Sequence, residues 1–77
     1  MKNVKILGSG CANCKRLEQN VRNLAAKHNL ELEIEKVTDY AEIMKWNILS
    51  TPGLVVDGKL VSAGIIPNDQ RLLEMLQ

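Results

Sequence analysis

The sequence predicts an α/β fold in which one mixed four-stranded sheet carries helices on both faces. Three patterns support this prediction: apolar residues at helical spacing over residues 14–28, alternation of apolar and charged residues over residues 30–37, and an Asp57-Gly58 pair between two β-rich runs. Because a long helix separates the first two strands, they should lie parallel and be joined by a right-handed crossover. The later hairpin adds an antiparallel pair, so the order of elements is βαβαββα.

The first strand and the first helix are predicted within residues 4–28. Val4 to Leu7 form a short apolar run, which Gly8-Ser9-Gly10 ends. The helix should run from Ala12 to His28, and Asn29 suits its end. The residues at the apolar positions of this helix are Leu17, Val21, Leu24, Ala25 and His28.

The middle of the chain predicts a second strand and a short helix. Leu30 to Val37 alternates with period two, which is typical of a strand with one solvated face. Asp39-Tyr40-Ala41-Glu42 has the pattern of a capping box and should open a helix that ends near Trp46-Asn47. Its inward-facing residues should be Tyr40, Ile43 and Met44.

The last third predicts a hairpin and a final helix. Asp57-Gly58 separates Leu54-Val55-Val56 from a second β-rich run, and a type I′ turn at this pair requires positive φ at both residues. Pro67-Asn68-Asp69 should start the last helix. Its inward-facing residues should be Leu72, Leu73 and Leu76.

Length and composition indicate a single domain over residues 1–77 and exclude several classes of partner. The net charge is +1 and the chain has one Tyr and one Trp, so neither a basic surface nor stacking platforms for nucleic acid are expected. No apolar run approaches the ~18 residues of a membrane span, and the N-terminal apolar run is too short for a signal peptide. We therefore expect a cytoplasmic monomer that binds neither nucleic acid nor membrane.

The two cysteines, in the sequence Cys11-Ala12-Asn13-Cys14, are the residues that indicate chemistry. As a structural disulfide the pair would close a very short loop, worth only roughly 2 kcal/mol in the chain-entropy model. It lies where a strand ends and a helix begins, and a helix N-terminus favours a thiolate through its free N–H groups and partial positive charge. Such sites lower the pKa of a cysteine from ~8.5 to ~7 or below. Cys11, at the helix tip, should be the exposed nucleophile, and Cys14 the more buried resolving thiol.

Four features together resemble the thioredoxin/glutaredoxin superfamily: Gly10 to Cys14, Thr51-Pro52 before a strand, the Asp57-Gly58 hairpin and the terminal helix. The closest likeness is to the small archaeal and bacterial thioredoxin-like redox-active disulfide proteins, and it covers the whole chain. The resemblance implies a thioredoxin fold and thiol–disulfide exchange with protein disulfides. It also implies that Pro52 is cis and lies against the cysteines, and that the backbone of Thr51 pairs with an incoming peptide.

The chain also departs from the patterns of this superfamily. Thioredoxins carry a buried aspartate six residues before the nucleophile, where this chain has Lys5, so a thioredoxin-like proton relay is not expected and water would serve instead. The stretches that hold glutathione in glutaredoxins correspond to Ser50-Thr51-Pro52 and Ala63-Gly64, which lack the glutaredoxin pattern. Ile65 and Ile66, with the backbone of Thr51, instead suggest an apolar rim that binds an extended peptide next to Gly64. We expect a protein disulfide reductase as electron donor and no cofactor beyond the reversible Cys11–Cys14 disulfide.

The alternative is a metal-binding or metal-carrier module that uses the same two cysteines. Such modules usually place a methionine two residues before the first cysteine, where this chain has Ser9. A zinc site needs about four ligands, and the chain offers two cysteines. His28 is fourteen residues beyond Cys14 on the same predicted helix, roughly 21 Å away, and suits interaction with the helix dipole better.

Overall fold

Four strands and three helices are formed within residues 1–77, all of which the computed structural model describes. In chain order they are β1 (Lys2–Leu7), α1 (Ala12–Lys27), β2 (Leu32–Val37), α2 (Tyr40–Met44), β3 (Gly53–Val56), β4 (Lys59–Ala63) and α3 (Asp69–Leu76). The strand order in the sheet is β2-β1-β3-β4, with β1 parallel to β2 and antiparallel to β3, and with β3 antiparallel to β4. The predicted element order and the mixed four-stranded sheet are confirmed.

The two central strands divide their side chains between the faces of the sheet. In β1, Val4 and Ile6 contribute to one apolar cluster, while Leu7 contributes to another. All four residues of β3 are buried, as expected for a strand that has neighbours on both sides and helices on both faces. Because successive side chains of a strand point to opposite faces of the sheet, each central strand contributes to two separate apolar clusters.

The face beneath α1 and α3, called the main face below, carries the larger core. Its nine buried residues are Val4, Ile6, Leu17, Val21, Leu24, Leu54, Val56, Leu72 and Leu76. The opposite face, called the α2 face, has a cluster of only four buried residues: Leu7, Ile43, Ile48 and Val55. Helices therefore cover both faces, as predicted, but unequally.

The structure corrects the prediction for α2. The helix ends at Met44, residues 45–47 continue as a turn with i→i−3 hydrogen bonds, and Asn47 has a left-handed φ of 57°. Tyr40 is 72% exposed and Met44 is also exposed, so of the three predicted inward residues only Ile43 is buried. A helix of five residues makes about one and a half turns, and it presents a single residue to the sheet.

The capping box before α2 is half formed. Asp39 accepts a hydrogen bond from the backbone N–H of Ala41 at 3.1 Å. Glu42, however, is paired with Lys45 Nζ at 2.9 Å.

In α1 the prediction that His28 occupies an apolar position inside the helix was wrong. The helix ends at Lys27, and His28 lies exposed at the C-cap, one residue beyond that end.

The turns predicted from local residue preferences are confirmed. Asn29 has φ 55° directly after the C-cap of α1, and the N–H of Leu30 reaches back to the carbonyl of Ala25 at 2.8 Å. Asp57 and Gly58 have φ of 50° and 81°, the positive values that a type I′ turn needs. None of the helices combines the length and apolar character needed to span a membrane.

Candidate active site

The two cysteines lie at the junction between β1 and α1. Gly10 has φ +91°, a left-handed conformation that favours glycine, and it turns the chain into the helix. Cys11 is the N-cap of α1 and is exposed, whereas Cys14, in the first turn, is only 5% exposed. The two are joined by a disulfide with their Cα atoms 5.0 Å apart, so the structure represents the oxidised protein.

The helix N-terminus is directed at the exposed sulfur. Cys11 Sγ accepts a hydrogen bond from the backbone N–H of Cys14 at 3.1 Å, in the manner of an N-cap side chain. The first turn contains no acidic residue, and exposed Lys15 and Arg16 follow Cys14. After reduction, the same N–H and the positive end of the helix favour the thiolate of Cys11, which is the form that attacks disulfides.

Gly8 is a site residue that the sequence alone indicates only as the end of the first strand. It is buried, and a Cβ added to it would overlap Cys14 Sγ. The Cβ of Thr51 lies 3.8 Å from the same point. The absence of a side chain at Gly8 therefore lets Cys14 Sγ lie directly against the end of β1, with Thr51 nearby, an arrangement that no local sequence pattern reveals.

The segment around Thr51 and Pro52 forms the opposite side of the site. The Thr51–Pro52 peptide bond is cis, Pro52 is buried and Thr51 is exposed. The carbonyl of Pro52 accepts a hydrogen bond from the N–H of Gly64 at 2.8 Å. Gly64 has φ +78° and lies against the side chain of Ser50, where a Cβ would collide. The structure thus brings Thr51, Pro52 and Gly64 together.

The predicted apolar rim after β4 lines a groove of its own. Ile65 is 60% exposed and lines a groove with Ile66 and Pro67 that neither cysteine borders. Ile66 is half-buried and packs against the main core. Only Gly64 of this predicted stretch reaches the Thr51–Pro52 segment by a hydrogen bond.

A different apolar surface adjoins the cysteine loop. Ser9 and Thr51 line a groove of about 220 Å³ together with residues from α2 and the segment that follows it. Two of its apolar side chains are strongly exposed, namely Tyr40 and the fully exposed Leu49. The sequence reading missed this surface because it placed Tyr40 and Met44 in the core.

A small cavity lies beside the buried sulfur. It measures about 60 Å³ and is lined by Ile6, Gly8, Gly10, Cys14, Lys15, Glu18, Lys36 and Thr38. Glu18, the one acidic side chain among them, is paired with Arg22 Nε at 3.0 Å and Lys36 Nζ at 3.6 Å. Lys5 does not border this cavity and is paired with Glu35 at 3.4 Å.

The metal-carrier alternative requires a ligand set. No three side chains of His, Cys, Asp or Glu lie close enough together to hold a metal ion. His28 lies at the opposite end of α1 from Cys11. Within one chain, the two cysteines are therefore brought together without further ligands of these kinds.

Comparison with known proteins agrees with this fold and this pair of cysteines. A family model described as a thioredoxin domain matches residues 2–77. A thioredoxin from Methanothermobacter thermautotrophicus is 33% identical over 76 residues, covering 99% of both chains. A thioredoxin from Methanocaldococcus jannaschii is 35% identical over 74 residues, covering 96% of this chain and 85% of the other.

A solved structure shows the same fold. The solution structure of oxidised thioredoxin from Plasmodium falciparum matches with a TM-score of 0.62 and 22% identity, over 97% of this chain and 77% of the other. Fold and cysteine pair define a thiol–disulfide oxidoreductase, as predicted. The chain belongs to the thioredoxin domain family, a family that implies protein disulfide substrates and a reductase partner.

Proposed function

We propose that the chain exchanges electrons with disulfides of partner proteins, with Cys11 as the attacking residue and Cys14 as the resolving residue. The observation that carries this assignment is the contrast in exposure: Cys11 is exposed and accepts a helix N–H, whereas Cys14 is 5% exposed. A partner disulfide can therefore approach Cys11 but not Cys14.

The exchange proceeds in two steps. The Cys11 thiolate attacks one sulfur of the partner disulfide, which breaks, and the other partner sulfur leaves with the electron pair. Cys14 then attacks Cys11 Sγ, the mixed disulfide breaks and the second partner sulfur leaves as a thiolate. Cys11 and Cys14 are oxidised by two electrons, and the partner is reduced to a dithiol. The reverse sequence returns electrons to the pair.

The partner is held as an extended peptide beside Thr51. The exposure of Thr51 and its position next to Pro52 support the pairing of its backbone with a peptide strand. The groove of Ser9, Tyr40 and Leu49 supplies apolar contacts on one side. On the other side Gly64, fixed to Pro52, supports the segment, and its exposed neighbour Ile65 offers an apolar side chain from a separate groove.

A protein reductase, rather than glutathione, restores the dithiol. The surfaces beside Thr51 and Gly64 offer apolar side chains such as Leu49 and Ile65, whereas a charged tripeptide needs polar partners. An unmade hydrogen bond of a buried polar group costs roughly 1–3 kcal/mol. The protein acts as a cytoplasmic monomer, a single domain over residues 1–77, without metal or organic cofactor and without nucleic-acid or membrane partners.

Trapping of the mixed disulfide tests the roles of the cysteines. The Cys14→Ser variant should accumulate a stable adduct through Cys11 with a protein disulfide substrate, because the attacker remains and the resolving thiol is gone. Cys11→Ser should lose disulfide reduction almost completely. Mass spectrometry of the digested adduct locates the linkage, and an adduct formed mainly through Cys14 in the Cys11→Ser protein would reverse the assignment.

Electron-donor kinetics test the reductase. Thiol recovery from the oxidised protein should be rapid and saturable with a flavoprotein disulfide reductase and NADPH. With glutathione at millimolar concentration it should be slow and unsaturated, because the apolar side chains beside Thr51 and Gly64 leave the charged ends of the tripeptide without polar partners. Thiols are counted after acid quenching, and chain without reductase is the control. Saturable turnover with glutathione alone would contradict the proposal.

A further inference from the structure

Glu18 shares a cavity with the resolving cysteine. It lies four residues after Cys14 in α1, so both side chains project from the same face of the helix. Both line the cavity of about 60 Å³ whose other walls include Ile6 and Gly8 from β1 and its end. The side chain of Glu18 is only 18% exposed. An acidic group is thus held, largely shielded, beside the buried sulfur.

Charged groups around Glu18 fix its position. Arg22 Nε lies 3.0 Å away on α1, and Lys36 Nζ lies 3.6 Å away on β2. The other polar linings of the cavity are Lys15 from α1 and Thr38 after β2, while β1 contributes the apolar Ile6. Glu18 is the one acidic side chain lining this cavity, so its carboxylate is the group there that is suited to accept a proton from a thiol.

We propose that Glu18 is the proton acceptor for Cys14 in the second step of exchange, acting through a water molecule in the cavity. This inference rests on the proposed role of Cys14. The cavity is large enough for a water, which needs roughly 10–15 Å³ of such space. Glu18 thus provides a carboxylate beside Cys14. Lys5 provides none, because it is a cation paired with Glu35 away from the cavity.

The step balances in protons and electrons. The S–H bond of Cys14 breaks, and its proton passes through the water to a carboxylate oxygen of Glu18. Cys14 Sγ forms a bond to Cys11 Sγ while the bond from Cys11 Sγ to the partner sulfur breaks, and the electron pair leaves on the partner sulfur. The proton on Glu18 then exchanges with solvent at the cavity mouth.

An aromatic disulfide separates the two steps. When the reduced protein reacts with dithiobis(nitrobenzoate), attack by Cys11 releases one thionitrobenzoate at a rate that depends on reagent concentration. Resolution by Cys14 releases the second at a rate that does not. Because this aromatic thiolate leaves without needing a proton, the second phase reports on the Cys14 thiol and its proton acceptor alone.

The Glu18→Gln variant should keep the first phase and lose speed in the second. At pH 7 the second phase should slow by about 100-fold, the low end of the range for general acid–base catalysis. The deficit should shrink as pH rises, because hydroxide then generates the thiolate without help. Glu35→Gln, which breaks an ion pair outside the cavity, is the matched control and should behave like wild type.

Several outcomes would overturn the inference. The carboxylate would be only a nearby charge if Glu18→Gln resolved as fast as wild type, or faster, at every pH. A Glu18→Asp variant provides a second check, since it keeps the charge and should retain most of the wild-type pH profile if the water can still bridge. A glutamine-like profile in that variant, with a normal unfolding midpoint, would also count against it. A wild-type protein without a concentration-independent second phase would instead overturn the roles of Cys11 and Cys14, and this inference with them.

Discussion

The two faces of the sheet differ in what their helices bury. On the main face, α1 and α3 pack against the sheet to form a cluster of nine buried residues. Half-buried residues from β2, β4 and α3 pack around this cluster. On the α2 face, one residue of a five-residue helix joins three others in a cluster of four. Both faces meet the same central strands, so the difference comes from the helices that cover them.

This difference indicates a division of tasks. The main face holds α1 firmly, and with it the N-terminus that presents Cys11 and the buried Cys14. The α2 face leaves Tyr40 and Leu49 exposed beside Thr51, where a partner protein would bury them. In a chain this small, apolar residues that are withheld from the core lower stability. Their exposure next to the cysteines is therefore consistent with a role in binding.

Paired core truncations give the largest expected effect and the most direct test of the comparison. Leu17→Ala on the main face should lower the free energy of unfolding by about 4 kcal/mol, and Ile43→Ala on the α2 face by about 2 kcal/mol. The second value is at the low end of the range because Trp46 and Leu60, half-buried against the same small cluster, can relax into the space. Urea unfolding of the oxidised proteins measures both values.

The contrast between the two faces is contradicted if Ile43→Ala lowers the free energy of unfolding as much as Leu17→Ala does. Both residues are nearly fully buried, at 3% exposure or less, so a difference between the variants reports on the surrounding core rather than on the truncated side chain. The unfolding slope with urea should stay unchanged in both. A changed slope would mean that the native or unfolded state had altered, and the two costs could not be compared.

The elements that the sequence predicted well are those that depend on local chemistry. Asp57 and Gly58 adopt the positive φ of a type I′ turn, and Asn29 follows the end of α1, because the preferences of these residues act within a few positions. The exposed Cys11 and buried Cys14 follow from their places in one helical turn.

The features that the sequence did not predict depend on contacts between distant segments. Tyr40 has an apolar ring at a helical spacing, but whether it is covered depends on what packs over α2. Glu18 lies in a helix of ordinary charged residues, and its position beside Lys36 appears only once β2 pairs with β1. Gly8 matters because Cys14 Sγ packs directly against the backbone at the end of β1, a contact that composition does not encode.

The smallest expected effect on stability comes from the exposed part of the α2 face. Leu49 is fully exposed, so Leu49→Ser should leave the unfolding midpoint unchanged, because no buried contact is lost. It should nevertheless raise the KM for a protein disulfide such as that of insulin by about 5-fold, since partial burial of a leucine contributes on the order of 1 kcal/mol to binding. The rate with dithiobis(nitrobenzoate), which is too small to span the groove, should not change.

The Leu49→Met variant is the matched control, because it keeps an apolar side chain of similar size and should retain the wild-type KM. A serine variant with wild-type KM would show that partners do not bury this side chain. The small core of the α2 face would then have no connection with partner binding. A serine variant that also slowed the small disulfide would place the effect on the cysteines instead of on docking. A rise in KM for protein substrates, without a change in the rate with the small disulfide, is the only result that agrees with binding of partners by the exposed apolar residues of the α2 face.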